Sequence, residues 1–134
     1  MDQPQLNGGG LRLAILDPNA QVRTALERRL TEDDRVAAVA SAGIDSIDAL
    51  GLIADQDPHV VLIDPRGNGG TELLAALLQR RLESRRFIIA VHVSYRDAAE
   101  EAALLSVGCS LYLLKGLRSR TLVDTLLSAL SVAG

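Results

Sequence analysis

Asp17, Asp64, Ser94 and Lys115 have residue types and spacing suited to handling a phosphoryl group. Asp17 and Asp64 lie 47 residues apart, and Asp64 and Lys115 lie 51 apart. A carboxylate can act as the nucleophile that becomes an acyl phosphate, and a second carboxylate can help hold Mg²⁺ through its oxygens. A lysine and a hydroxyl can bind the phosphoryl oxygens. Lys115 also stands out by composition, as the only lysine among 14 basic residues. An ammonium is a compact point charge, whereas the guanidinium used everywhere else in this chain is a planar fork.

Such a set works only if the fold brings it together, and the hydropathy pattern predicts how. Leu11 to Leu16 is a short apolar run closed by Asp17-Pro18-Asn19, and Val22, Leu26 and Leu30 then recur at helical spacing. Val36 to Ala40 is a second run, ending at Ser41-Ala42-Gly43. Ile47, Leu50 and Ala54 follow as a helix up to Asp57-Pro58. Val60 to Ile63 is the clearest strand, and Thr71 to Leu82 carries Leu74, Leu77, Leu78 and Leu82 on one stripe. Strands over Phe87 to Val93 and Leu111 to Leu114 alternate with helices over about Asp97 to Val107 and Ser119 to Val132. The strand runs are nearly continuously apolar, so both faces of the sheet need cover. This predicts a doubly wound α/β fold with a five-stranded parallel sheet and five helices. In such a sheet the carboxyl ends of the strands share one edge, where ligands bind. Asp17, Asp64, Val93-Ser94 and Lys115 all end strands, and are therefore expected to converge there.

The same residues carry a family resemblance over about residues 11–134. Ile15-Leu16-Asp17-Pro18-Asn19 with Arg23 and Leu26 is similar to the acidic segment of NarL/FixJ-type response regulator receiver domains. Pro58-His59-Val60-Val61-Leu62-Ile63-Asp64 resembles the strand leading to the phosphorylated aspartate. Gly108 followed by Tyr112-Leu113-Leu114-Lys115 resembles the segment ending in the switch aromatic and the phosphate-binding lysine. The resemblance implies the flavodoxin-like strand order 2-1-3-4-5. It also implies that Asp64 accepts a phosphoryl group from a phosphohistidine on a sensor histidine kinase, that Lys115 contacts the phosphate, and that Ser94 supplies the switch hydroxyl. Mg²⁺ is then the expected cofactor, with Asp17, Asp64 and the backbone at Arg66 on its side. Tyr112 is expected to report the state to a homodimer face built from the fourth helix, fifth strand and fifth helix. Receivers of this subfamily continue into a linker and a helix-turn-helix domain. The expected context is a transcriptional regulator or a single-domain protein.

The pattern departs from that family at three places. Pro18 replaces the second acid at the first strand end, which weakens metal binding. Arg66 follows Asp64-Pro65, and its guanidinium is expected to fold over Asp64 or Asp17 and neutralise the pocket without Mg²⁺. Ungapped counting back from Lys115 puts Val93 at the switch position, and a one-residue deletion puts Ser94 there. These departures support an alternative, a pseudo-receiver acting as a phosphorylation-independent interaction or dimerisation module. An aspartate between a strand and a proline also suits a turn or a helix cap, and Tyr112 also suits a core aromatic, so those readings stay open here.

Composition narrows the rest. At 134 residues, 48% hydrophobic and 23% charged, the chain is one domain of ordinary globular make-up. A net charge of −3 gives no general attraction to nucleic acid or anionic membrane, so this segment is not expected to bind DNA directly. No apolar run is long enough to span a bilayer and the N-terminus lacks a signal-peptide pattern, so a cytoplasmic location is expected. Residues 1–10, with Gly8-Gly9-Gly10, are expected to form a flexible lead-in. The lone Cys109 reads as a buried inert thiol and His92 as a satisfied interior or edge imidazole. Gly67 to Gly70 lacks the Lys-Ser/Thr of a P-loop, and Arg80-Arg81 with Arg85-Arg86 reads as a solvated face. With 2% aromatic residues and no phosphate-binding loop after the first strand, a flavin carrier is disfavoured.

Overall fold

The computed structural model describes residues 9–84 and 86–133. The strands are β1 (Leu11–Leu16), β2 (Val36–Ala42), β3 (Val60–Ile63), β4 (Ile88–Val93) and β5 (Leu111–Leu114). The helices are α1 (Ala20–Thr31), α2 (Ser46–Gln56), α3 (Gly70–Ser84), α4 (Ala98–Ser106) and α5 (Ser119–Ala133). All strand pairs are parallel, in the order β2-β1-β3-β4-β5. The lead-in expected over residues 1–10 lies outside the described residues, apart from Gly9 and Gly10.

The continuous apolar runs produce the doubly covered sheet. In β1, β3 and β4 alternate residues feed two separate cores. Leu13, Ile15, Val60, Leu62, Ile88 and Ala90 pack with Leu26 and Leu30 of α1 and Leu122 and Leu126 of α5. Ala14, Leu16, Val61, Ile63, Ile89, Val91 and Val93 pack on the other face with Ile53 of α2 and Leu73 and Leu77 of α3. Each fully buried leucine or isoleucine contributes about 2 kcal/mol by removal from water. Cys109 is buried against the second of these cores, and burial pushes its thiol up to about 11, as suits an inert side chain.

Most strand boundaries follow the hydropathy, but β2 runs two residues past its expected end. Ser41 and Ala42 continue the ladder opposite Ile15 and Leu16, because backbone pairing with a long β1 outweighs the turn preference of Ser-Ala-Gly. The helix starts follow local chemistry. Asn19 caps α1, its side chain accepting from Gln21 N (2.9 Å) and Val22 N (3.1 Å). Replacing Asn19 with alanine removes both acceptors and is expected to cost about 1 kcal/mol in urea denaturation. An unchanged midpoint would show that the cap adds nothing.

The loop after β3 turns very tightly. A Cβ at Gly70 would sit 2.1 Å from the Pro65 carbonyl oxygen, and Gly69 has φ +84°. The glycines at these two positions are therefore steric requirements of a turn that carries Asp64 and Arg66.

Candidate functional site

Three of the expected residues meet at the carboxyl edge of the sheet. The residue after β1 is held by Asp17 N donating to Ala42 O (3.2 Å), the one after β3 by Asp64 N donating to Leu16 O (2.9 Å), and the one after β5 by Lys115 N donating to Val93 O (2.7 Å). The ladder thus extends one residue past each strand and places all three at one level. Lys115 Nζ lies 2.8 Å from Asp17 Oδ2 and 2.6 Å from Asp64 Oδ2. Asp17 is 1% and Asp64 7% exposed. Burial pulls the ammonium pKa down, but the bonds to Asp17 and Asp64 outweigh it and the net shift is upward. Lys115 is therefore firmly charged in this pocket.

Both remaining carboxylate oxygens are also engaged. Asp17 Oδ1 accepts from Asn19 N (2.8 Å), and Asp64 Oδ1 accepts from Arg66 N (3.1 Å). A second basic side chain bonds the backbone here, as Arg23 Nη1 donates to Asp17 O (2.6 Å). The turn-forming and chemical readings of the two aspartates therefore coexist, since one oxygen of each ties down its own turn while the other faces the lysine.

A resident Mg²⁺ does not fit this donor set. Among the described residues no three His, Cys, Asp or Glu side chains cluster. Pro18 supplies no carboxylate, and Lys115 holds the inner oxygens of both acids. A divalent ion would have to displace the ammonium and still find most of its oxygen ligands elsewhere.

The Arg66 side chain does not fold over Asp64 or Asp17 as expected. Its guanidinium pairs with Glu100 Oε1 (2.6 Å), donates to Tyr112 Oη (3.0 Å) and lies 4.0 Å from the Tyr95 ring centroid. The physical reason is competition. Lys115 already pairs with both aspartates, while Glu100 and the aromatic face offer a half-buried guanidinium a charge-assisted bond and a cation–π contact. The bond to Glu100 raises the Arg66 pKa further. Its Nη1 is buried without a partner.

Tyr112 is half-buried and fully engaged. Its hydroxyl donates to Glu100 Oε1 (2.5 Å) and accepts from Arg66 and from Asp97 N (3.1 Å). Burial and the bond to Glu100 raise its pKa, with the Asp97 N–H opposing. Asp97 in turn caps α4 by accepting from Glu100 N (3.1 Å). Arg66, Tyr112, Tyr95, Asp97 and Glu100 thus tie the β3–α3 loop to β5 and to the first turn of α4. Sequence reasoning missed Glu100 and Tyr95. The only available signal was the Asp97-x-x-Glu100 spacing of a capping box, which places Glu100 in the first turn without revealing that it reaches Arg66.

Ser94 is exposed and forms no hydrogen bond with Asp64 or Lys115. Val93 ends β4 opposite Leu114 and is fully buried in the α2–α3 core. The hydroxyl expected beside the acceptor therefore stands one residue beyond the strand, facing solvent.

The doubly wound sheet with Asp17, Asp64 and Lys115 at its carboxyl edge has counterparts in fold among solved structures. The signal receiver domain of the putative response regulator NarL from Mycobacterium tuberculosis superposes with a TM-score of 0.73 at 25% identity, covering 91% of this chain and 97% of that one. A LuxR-family response regulator from Aurantimonas gives 0.75 at 23% identity, over 92% and 86%. A LuxR-family DNA-binding response regulator from Staphylococcus aureus gives 0.74 at 20%, over 90% and 98%. No protein-family model matches the sequence, and no curated protein matches it. These three neighbours are response regulators or their receiver domains, and this chain has their fold, the five-stranded flavodoxin-like form. No helix among the described residues is long and apolar enough to cross a membrane.

Proposed function

We propose that this chain is the receiver module of a two-component signalling protein, with Asp64 as the position that takes a phosphoryl group from a phosphohistidine of a sensor histidine kinase. The observation that carries this reading is Lys115 Nζ at 2.6 Å from Asp64 Oδ2 on the ligand-binding edge of the sheet. In the reaction a carboxylate oxygen of Asp64 attacks phosphorus and the P–O bond forms as the P–N bond breaks. The donor imidazole leaves with the P–N electron pair and takes a proton from solvent. Lys115 turns from the free carboxylate to a phosphoryl oxygen and offsets its charge. With one cation and no hydroxyl beside the acceptor, the transfer is slow.

The output face is α4, β5 and α5, where Leu105, Val107 and Leu114 are exposed. This patch supports homodimer formation and, in a transcriptional regulator, contact with an output domain. A second reading is favoured by the Arg66 cluster. Arg66 already ties Tyr112 and the start of α4 to the acceptor loop, which suits an interaction module that works without phosphorylation.

Incubation with phosphoramidate, followed by intact-mass analysis, separates the two. The expected result is a slowly accumulating phosphoryl adduct that Asp64→Asn abolishes. No adduct after prolonged incubation, with or without Mg²⁺, would replace the first reading by the second. Millimolar Mg²⁺ is expected to leave the melting temperature unchanged, because it would have to displace Lys115 from both aspartates.

A further inference from the structure

A cavity of about 280 Å³ lies between α1 and the carboxyl ends of β4 and β5, and shares Lys115 with the acceptor pocket. Its walls divide by chemistry. Val22 and Leu26 of α1 and Leu117 after β5 supply apolar surface, whereas His92, Arg29 and Lys115 supply nitrogen groups, and no acidic side chain lines it.

Two of those nitrogen-bearing side chains are uncommitted. His92 is 4% exposed, and its ring hydrogen-bonds to no other described residue. Burial, reinforced by Lys115 and opposed by Asp17 and Asp64, holds its pKa down at about 4. The ring is therefore neutral at pH 7, with one N–H donor and one bare nitrogen. The ring lines the cavity, where a bound ligand can meet it. Arg29 is exposed and holds no hydrogen bond or ion pair among the described residues. Unlike Lys115, whose charge is shared by two carboxylates, Arg29 carries an uncompensated charge at the cavity.

We propose that this cavity binds a small organic anion, with its carboxylate taken by Arg29 and the His92 N–H and its apolar body laid against Val22, Leu26 and Leu117. The occupant bonds the imidazole, meets the Arg29 guanidinium and covers the apolar wall in one pose. The site shares Lys115 with the acceptor pocket, but the groups proposed to hold the anion, Arg29 and His92, take no part in phosphoryl transfer at Asp64, so it is tested without a phosphodonor.

The test is a titration of the ¹⁵N-labelled full chain, following the His92 ring nitrogens, with phenylacetate, its neutral analogue phenylacetamide, and acetate. Phenylacetate is expected to give a saturable shift with a Kd on the order of 1 mM, as suits a fragment of this size. Arg29→Gln, at an exposed position that leaves the fold intact, is expected to weaken it about fivefold. Equal binding of phenylacetamide would overturn the anion assignment, and equal binding of acetate would overturn the apolar wall. Unchanged affinity in Arg29→Gln, or no saturable shift up to the solubility of phenylacetate, would remove the site.

Discussion

Replacing Lys115 with methionine is expected to lower the stability of the fold by about 3 kcal/mol at neutral pH, the lower end of the cost of breaking a buried ion pair from one side. Methionine keeps the length and packing of the stem, so what is lost is the ammonium. Asp17 and Asp64 would then face each other with no cation between them, at 1% and 7% exposure. Each would keep one hydrogen bond, from Asn19 N or Arg66 N, but neither could reach water freely. The lower end of the range applies because the Lys115 side chain is 19% exposed and some solvent reaches the pair. Urea denaturation measures the effect. The Lys115→Met, Asp17→Asn double variant is expected to recover at least about 1 kcal/mol of the loss, since it removes the repulsion that the single variant creates. A single-variant loss below about 1 kcal/mol would place the pair among exposed ion pairs and end the claim that it sets the pocket charge.

Acid is expected to destabilise the protein through His92 by about 3.5 kcal/mol, the value of a shift from 6.5 to about 4 at about 1.4 kcal/mol per unit. The folded imidazole resists protonation more than the unfolded one, so below 6.5 the unfolded state binds more protons and stability falls with pH. The contribution is intact above 6.5, declines as pH drops, and is fully lost once pH passes below about 4. Burial is the main cause. The groups facing the ring are Lys115 after β5 and Arg29 of α1, which hold its pKa down, and Asp17 after β1 and Asp64 after β3, which raise it. His92→Leu removes the titration while keeping an apolar body of similar reach. Stability curves at pH 7, 5.5 and 4 should therefore fall more steeply for the natural chain than for the variant. Parallel curves would mean that the imidazole reaches water freely. Asp33, held at about 2 first by its bond to Arg35, loses its contribution only below about 3.8 and does not confuse this window.

The architecture was legible because the signals behind it are local. Leu11–Leu16, Val60–Ile63 and Leu111–Leu114 are apolar runs bounded by Asp-Pro, Gly or Lys, and their ends fall where the hydropathy stops. In a parallel sheet the carboxyl ends of all strands share one edge, so a common edge for Asp17, Asp64 and Lys115 follows from the strand pattern. β2 was harder to bound, because Ser41 and Ala42 are held in the strand by pairing with β1, a contact invisible in their own composition.

What the sequence by itself determined was therefore the sheet, its two covered faces and the triad at its edge, since each depends on a periodicity or a strand end that neighbouring residues specify. Which partner each long side chain takes was decided by the tertiary structure alone. Arg66 had a choice between the aspartates, Asp64 two residues away and Asp17 49 away, and Glu100 with Tyr112 and Tyr95, 34, 46 and 29 residues away. It takes the distant set, and Lys115 from β5 pairs with the aspartates instead. His92 likewise reads as an ordinary buried imidazole until the fold sets α1 beside it and leaves a cavity that its ring lines. A flexible guanidinium or a buried ring settles by competition among groups that only the folded chain brings within reach, and one-dimensional spacing does not record that competition.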